Sequence, residues 1–225
     1  MGAWPVVRFI LIPACVVHGV EASVADAQSC PFIHKEFATM PAPRIAVLVG
    51  SLRKASINRR LAHALERLAA DRAAFVHVEI GDLPLYNQDD DDAPAPAVVR
   101  LRDAVRGADA VLFVTPEYNR SVPGVLKNAI DHGSRPYGQS VWAGKPAGVV
   151  GASIGSIGSA LAQQHLRNIL AYLDMPTLGQ PEVFLHAKDG VFDEDGGFGA
   201  ASRDFMQSWL DAYLAWIACH GGSSP

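Results

Sequence analysis

From Pro43 onward, short apolar runs alternate with stretches in which apolar residues recur every three to four positions. Continuous apolar runs bounded by glycine or polar residues read as buried strands, and the longer period reads as amphipathic helix. Ile45 to Val49 is the first run, and it stops at Gly50. Arg59 to Ala70 then places Leu61, Ala64, Leu65 and Leu68 on one helical face. Phe75 to Ile80 alternates as a second strand, followed by a turn and acidic loop from Leu83 to Asp92. Val98 to Val105 predicts a short helix, Ala110 to Val114 a fully buried strand, and Val125 to His132 a helix. Ala147 to Val150 and Glu182 to Leu185 read as strands, and Ser159 to Leu173 and Ala201 to Ala218 as helices. Five strands alternating with helices call for an α/β fold, a parallel sheet covered on both faces. Ligands in such folds sit beyond the carboxyl ends of the strands, at a topological switch point. The loops after strands one, three and four are therefore the informative ones.

The 225 residues are 49% apolar and 19% charged, with a net charge of −4. That is enough chain for one domain with a full core. The mild negative charge gives no basis for nucleic acid or an anionic membrane as partner. Cys15, Cys30 and Cys219 form no metal-ligand or disulfide spacing, so a cytoplasmic setting is expected. Residues 1–40 read as an N-terminal extension, expected to be disordered, and 41–225 as the folded domain. Phe9 to Val20 resembles a secretory signal, with Arg8 before it and Ala25-Asp26-Ala27 after it. A start at Met40 competes with that reading. The run is too short to span a bilayer, so no stable membrane anchor is expected.

Loop one runs from Gly50 to Asn58 and delivers hydroxyl and basic residues to a helix start. Free N–H groups and the helix dipole there favour an anion. Ser51, Ser56 and Asn58 can add side-chain hydrogen bonds, and Arg53 a forked, charged one. An ordinary helix cap by Ser51 or Ser56 is the competing reading. The loop lacks both the dinucleotide and the P-loop glycine patterns. Loop two, Thr115-Pro116-Glu117-Tyr118-Asn119, is stiffened by proline and offers the flat face of Tyr118 to a ring. A rigid turn with Glu117 capping the next helix competes. Loop three, Gly151 to Gly158, lets backbone approach a ligand closely. It also matches G-x-S-x-G around Ser153, the elbow of a serine esterase. Asp174 with His186, or Asp189 with His220, would then complete a triad in chain order.

GSLRKASIN, TPEYNRSVPGVLKNAIDH and AGKP followed by a glycine-serine loop together resemble the NAD(P)H-dependent FMN reductase family of flavodoxin-like proteins. The similarity is greatest to the chromate and quinone reductase branch and covers Pro43 to the C-terminus. It implies a three-layer sandwich with a five-stranded parallel sheet of order 2-1-3-4-5 and helices on both faces. It implies FMN bound non-covalently, its phosphate in the loop of Ser51, Leu52, Arg53, Lys54, Ala55, Ser56, Ile57 and Asn58. The ring would lie against Pro116, Glu117, Tyr118 and Asn119, with Ala152, Ser153 and Gly155 on the third side. NADPH or NADH would donate hydride to the flavin, and small acceptors such as quinones, free flavin or chromate would collect the electrons in a ping-pong cycle. A homodimer or homotetramer is implied as well. Loop three carries Gly151-Ala152 where the branch usually has hydroxyl residues.

Such chemistry needs no general base, because the cofactor carries it. His165 and His186 are accordingly read as packed or solvated. Tyr86, in the loop after strand two, is expected to border the acceptor pocket. Asp89 to Asp92 reads as a solvated acidic loop and not a metal site. A flavin-binding electron carrier without reductase activity is the second redox reading.

Overall fold

The computed structural model describes residues 41–221. The expectations for residues 1–40, including Cys15 and Cys30, lie outside the described residues. Strands β1 (Arg44–Val49), β2 (Ala74–His77), β3 (Ala110–Val114), β4 (Ala147–Ser153) and β5 (Val183–His186) alternate with helices. The helices are α1 (Ile57–Ala69), α2 (Pro96–Arg106), α3 (Gly124–Gly133), α4 (Ala160–Tyr172) and α5 (Arg203–His220). All sheet pairings are parallel, in the order β2-β1-β3-β4-β5. The strand order reverses between β1 and β3, which fixes the switch point there.

Side chains alternate across each strand, so the sheet has two apolar faces and builds two half-cores. Ile45, Val47, Leu112, Val114 and Val150 meet Leu61 and Leu65 of α1 and Trp209 and Tyr213 of α5. Ala46, Leu48, Val111, Phe113 and Val149 meet Leu101 of α2, Leu126 and Ile130 of α3, and Leu166 of α4. Tyr213 places its hydroxyl inside this packing, donating to the Val111 carbonyl at 2.9 Å. Complete burial pushes its phenol far above the ordinary value.

Two strand ends differ from the sequence expectation by three residues, the other strand boundaries by at most one. β2 ends at His77, although Val78 still donates to the Val47 carbonyl at 3.0 Å. Val78 and Ile80 remain buried because they pack on the half-core of α2 and α3, beyond the ladder. β4 instead runs three residues further, pairing Gly151, Ala152 and Ser153 with Phe184, Leu185 and His186. These residues have low strand propensity. The β5 ladder on one side, and the Asn58 amide against Ala152 on the other, keep them extended. Gly151 is obligatory there, since a Cβ would strike the Thr115 carbonyl and the Ser159 hydroxyl.

Candidate cofactor-binding site

The first loop leaves β1 at Gly50, whose N–H donates to the Val114 carbonyl at 2.9 Å. A Cβ at Gly50 would press on Leu126 and Pro116, so the glycine lets loops one and two pack directly. Ser56 caps α1 by accepting from the Arg59 N–H at 3.2 Å. Ser51 is only 5% exposed, yet its hydroxyl has no hydrogen-bond partner among the described residues. The backbone N–H groups of residues 51–58 likewise donate to no described residue. Arg53 and Lys54 are exposed and carry no ion pair among the described residues. The result is a row of unused donors and free cations at the positive end of a helix, an arrangement suited to an anion.

Asn58 also has a task that its position in the loop did not suggest. Its Nδ2 donates to the Ala152 carbonyl at 2.9 Å, and its Oδ1 accepts from the Ala152 N–H at 2.9 Å. Both ends of the amide are thereby used, and loop one is fastened to the end of β4. Ala152 is itself buried, its backbone committed to Asn58.

Loop two is more ordered than a stiff turn. Tyr118 and Ser121 exchange backbone hydrogen bonds of 3.1 and 3.0 Å. Asn119 and Arg120 between them have φ of 51° and 66°. This is a two-residue hairpin with both central residues left-handed, the geometry of a type I′ turn. It holds Tyr118 half-exposed at the carboxyl end of β3. Glu117 does cap a helix, but the helix is α4 and not the next one in sequence. Its Oε2 accepts from the N–H groups of Leu161 and Ala162 at 3.0 and 3.3 Å. Ser159, at the start of α4, supplies no cap of its own, with φ of 68°. Ser121 Oγ also meets His165 Nδ1 of α4 at 3.0 Å, so loop two is tied to α4 twice.

In loop three, Ser153 Oγ donates to the Gly155 carbonyl at 2.8 Å and accepts from its N–H at 3.1 Å. His186 is its register partner on β5, but no hydrogen bond joins the two side chains. Asp174 and His220 line a depression with Gly144 at the amino end of β4, the opposite end of the sheet. Neither triad can assemble, and the esterase reading is corrected on that geometry. Tyr86 packs edge-on against His132 with ring centroids 5.4 Å apart, and its hydroxyl points to Asp91 at 3.5 Å. Its N–H donates to Asn128 Oδ1 of α3 at 2.8 Å. Desolvation, followed by the Asp91 carboxylate, pushes the Tyr86 phenol up, so it stays protonated at neutral pH.

A basic groove of about 500 Å³ runs beside loop one, lined by Lys54, Arg59, Arg60, His63 and Arg67. Sequence reading missed it because the polar face of an amphipathic helix carries the same residues whether or not it borders a groove.

Residues 43–190 match the family model described as NADPH-dependent FMN reductase. The chain belongs to the NADPH-dependent FMN reductase family. A quinone reductase of Pseudomonas putida is 52% identical over 174 residues, spanning 77% of this chain and 94% of the relative. A 2-hydroxy-1,4-benzoquinone reductase of a Burkholderia species is 49% identical over 176 residues, 77% of this chain and 96% of the relative. Among solved structures, the flavoenzyme NAD(P)H:acceptor oxidoreductase FerB of Paracoccus denitrificans superposes with a TM-score of 0.77 at 45% identity. That superposition covers 79% of this chain and 98% of FerB. The residues present suit the cofactor of this FMN reductase family. Unused N–H groups, the unpaired Ser51 hydroxyl and the free Arg53 guanidinium are the donor set a phosphate dianion requires. No helix of the described residues is long and apolar enough to cross a membrane.

Proposed function

We propose that the protein is an FMN-dependent NAD(P)H oxidoreductase that reduces quinones and similar small acceptors. The observation that carries this reading is the row of unused donors from Ser51 to Asn58 at the start of α1. Ser51, Ser56, Arg53 and the N–H groups of Leu52, Lys54, Ala55 and Ile57 would hold the phosphate. The Pro116, Glu117, Tyr118 and Asn119 segment would form one wall for the ring, and Ala152, Ser153 and Gly155 the third side. Asn58 and Glu117 act through side-chain bonds to the backbone of Ala152 and of α4, holding the three loops in one arrangement. When bound, FMN supplies hydride acceptance from NAD(P)H and return of the electron pair to the acceptor. The protein's share is orientation and fixed donors, which lower the barrier without a general base. The basic groove of Lys54, Arg59, Arg60 and Arg67 favours approach of the anionic dinucleotide.

The absorbance spectrum of the protein as isolated, followed by anaerobic NADPH or NADH addition, tests the proposal. A flavin band that is lost on reduction and restored by a quinone supports it. A protein that stays colourless after incubation with FMN overturns it, and a flavin band unmoved by either nucleotide leaves the electron carrier. Chromate and free flavin belong in the same acceptor panel. Arg53→Ala is expected to release flavin on dialysis, and full retention would remove Arg53 from the phosphate site. We further infer a homodimer or homotetramer, supported by Leu85 and Tyr137, which are 85% and 86% exposed. Light scattering after size exclusion measures that mass. The cytoplasm, where reduced nicotinamide nucleotides are regenerated, is the inferred location, and cell fractionation checks it.

A further inference from the structure

A cluster outside the FMN site has the composition of a metal centre. His63 and Glu66 stand one turn apart on α1, where residues three apart share a face. His77 is the last residue of β2, the edge strand that α1 returns to. Glu66 Oε2 lies 3.1 Å from His63 Nδ1 and 3.0 Å from His77 Nε2. All three ligand atoms fall within 4.8 Å of one another. The two imidazole rings are 4.5 Å apart between centroids, tilted by 35°.

Zinc bonds to imidazole nitrogen and carboxylate oxygen run about 2.0–2.2 Å, which at a tetrahedral angle separates ligand atoms by roughly 3.3–3.5 Å. The two separations from Glu66 Oε2 are a few tenths shorter. Small side-chain rotations would therefore admit an ion at their centre. The side chains are 51%, 41% and 31% exposed for His63, Glu66 and His77, so none is immobilised by a packed core. Partial burial pushes the Glu66 carboxyl up, but hydrogen bonds and charge from His77 and His63 outweigh it and hold the group below its ordinary value. Glu66 is therefore an anion at neutral pH. A cavity of about 220 Å³ adjoins the cluster and is also lined by Ser51, Arg59 and Glu79. Glu79 is engaged elsewhere, accepting from the Gly81 N–H at 2.9 Å. Room therefore remains for water to complete the coordination.

We propose that His63, Glu66 and His77 form a surface binding site for a zinc-class divalent cation, which clamps α1 to the edge strand β2. Two imidazoles and one carboxylate select zinc and its borderline neighbours over magnesium or calcium, which prefer all-oxygen sets. The clamp acts on the helix whose N-terminus carries the unused donors, but it takes no part in the redox reaction. An ion bound only by the folded chain raises the unfolding temperature, increasingly so as its free concentration exceeds the dissociation constant.

The test uses tag-free, flavin-loaded protein, because an affinity tag would itself bind zinc. Zinc titration by calorimetry is run on the wild type, on His63→Ala, His77→Ala and Glu66→Gln, and on the double histidine variant. One zinc site per chain is expected in the wild type and absent from the double variant, with a zinc-dependent rise in melting temperature. Each single variant should lose more than about tenfold in affinity, since even outer-shell partners of a metal are worth about 10- to 100-fold. Cobalt, added as a spectroscopic probe, should give a visible d–d band that the double variant lacks. Without zinc, flavin content and quinone turnover of His77→Ala and Glu66→Gln should match the wild type, which separates metal loss from misfolding. Equal zinc binding by wild type and double variant, or a melting temperature indifferent to zinc, overturns the proposal.

Discussion

Removing the Asn58 side chain would strand the N–H and the carbonyl of Ala152, both of which it satisfies inside the protein. An unsatisfied buried polar group costs about 1–3 kcal/mol, so stranding two of them in Asn58→Ala is expected to cost about 2–6 kcal/mol. Urea denaturation with an unchanged m-value would measure this, and a loss under about 1 kcal/mol would count against the paired hydrogen bonds. Flavin retention should fall in the same variant, because loop one loses its tie to β4. From sequence, Asn58 stood out as a polar residue in a ligand loop. A primary amide in such a loop looks the same whether its partner is a phosphate or a distant strand. Only the fold places Ala152 against it.

At the scale of elements, α4 borrows its cap. A helix start leaves N–H groups unpaired, and Ser159 in its left-handed conformation does not reach them. Glu117 supplies the acceptor from loop two, adding a negative charge at the positive end of the helix. Loss of such a cap typically costs about 1–2 kcal/mol, so Glu117→Ala is expected to destabilise by that amount. Glu117→Gln, retaining an uncharged acceptor, should fall between wild type and Ala, because charged hydrogen bonds are roughly twice as strong as neutral ones. Equal stability of Gln and wild type would mean that the charge contributes nothing. The extension of β4 through Ser153 has the same origin, since paired neighbours and not local propensity keep Gly151 and Ala152 extended.

At the scale of the molecule, Tyr213 crosses from α5 into the sheet and donates to Val111 of β3. Its raised folded-state pKa means that the unfolded chain releases the phenol proton first as pH climbs. The unfolded state then holds fewer protons than the folded one, so stability falls as pH rises above about 10, the ordinary tyrosine value. Tyr213→Phe should flatten that alkaline decline, at a cost of about 0.5–1.5 kcal/mol near neutrality from the lost hydrogen bond. Stability measured against pH in both proteins would show it, and parallel alkaline limbs would refute the assignment. The sequence by itself determined the alternation of strands and helices and the three loops that matter, because burial periodicity and loop composition are local signals. Which helix Glu117 caps, where Asn58 points, and that His77 meets Glu66 were decided by tertiary structure alone. Those contacts join residues 44, 94 and 11 positions apart. Parallel pairing brings such positions together through the sheet, and no local pattern records that.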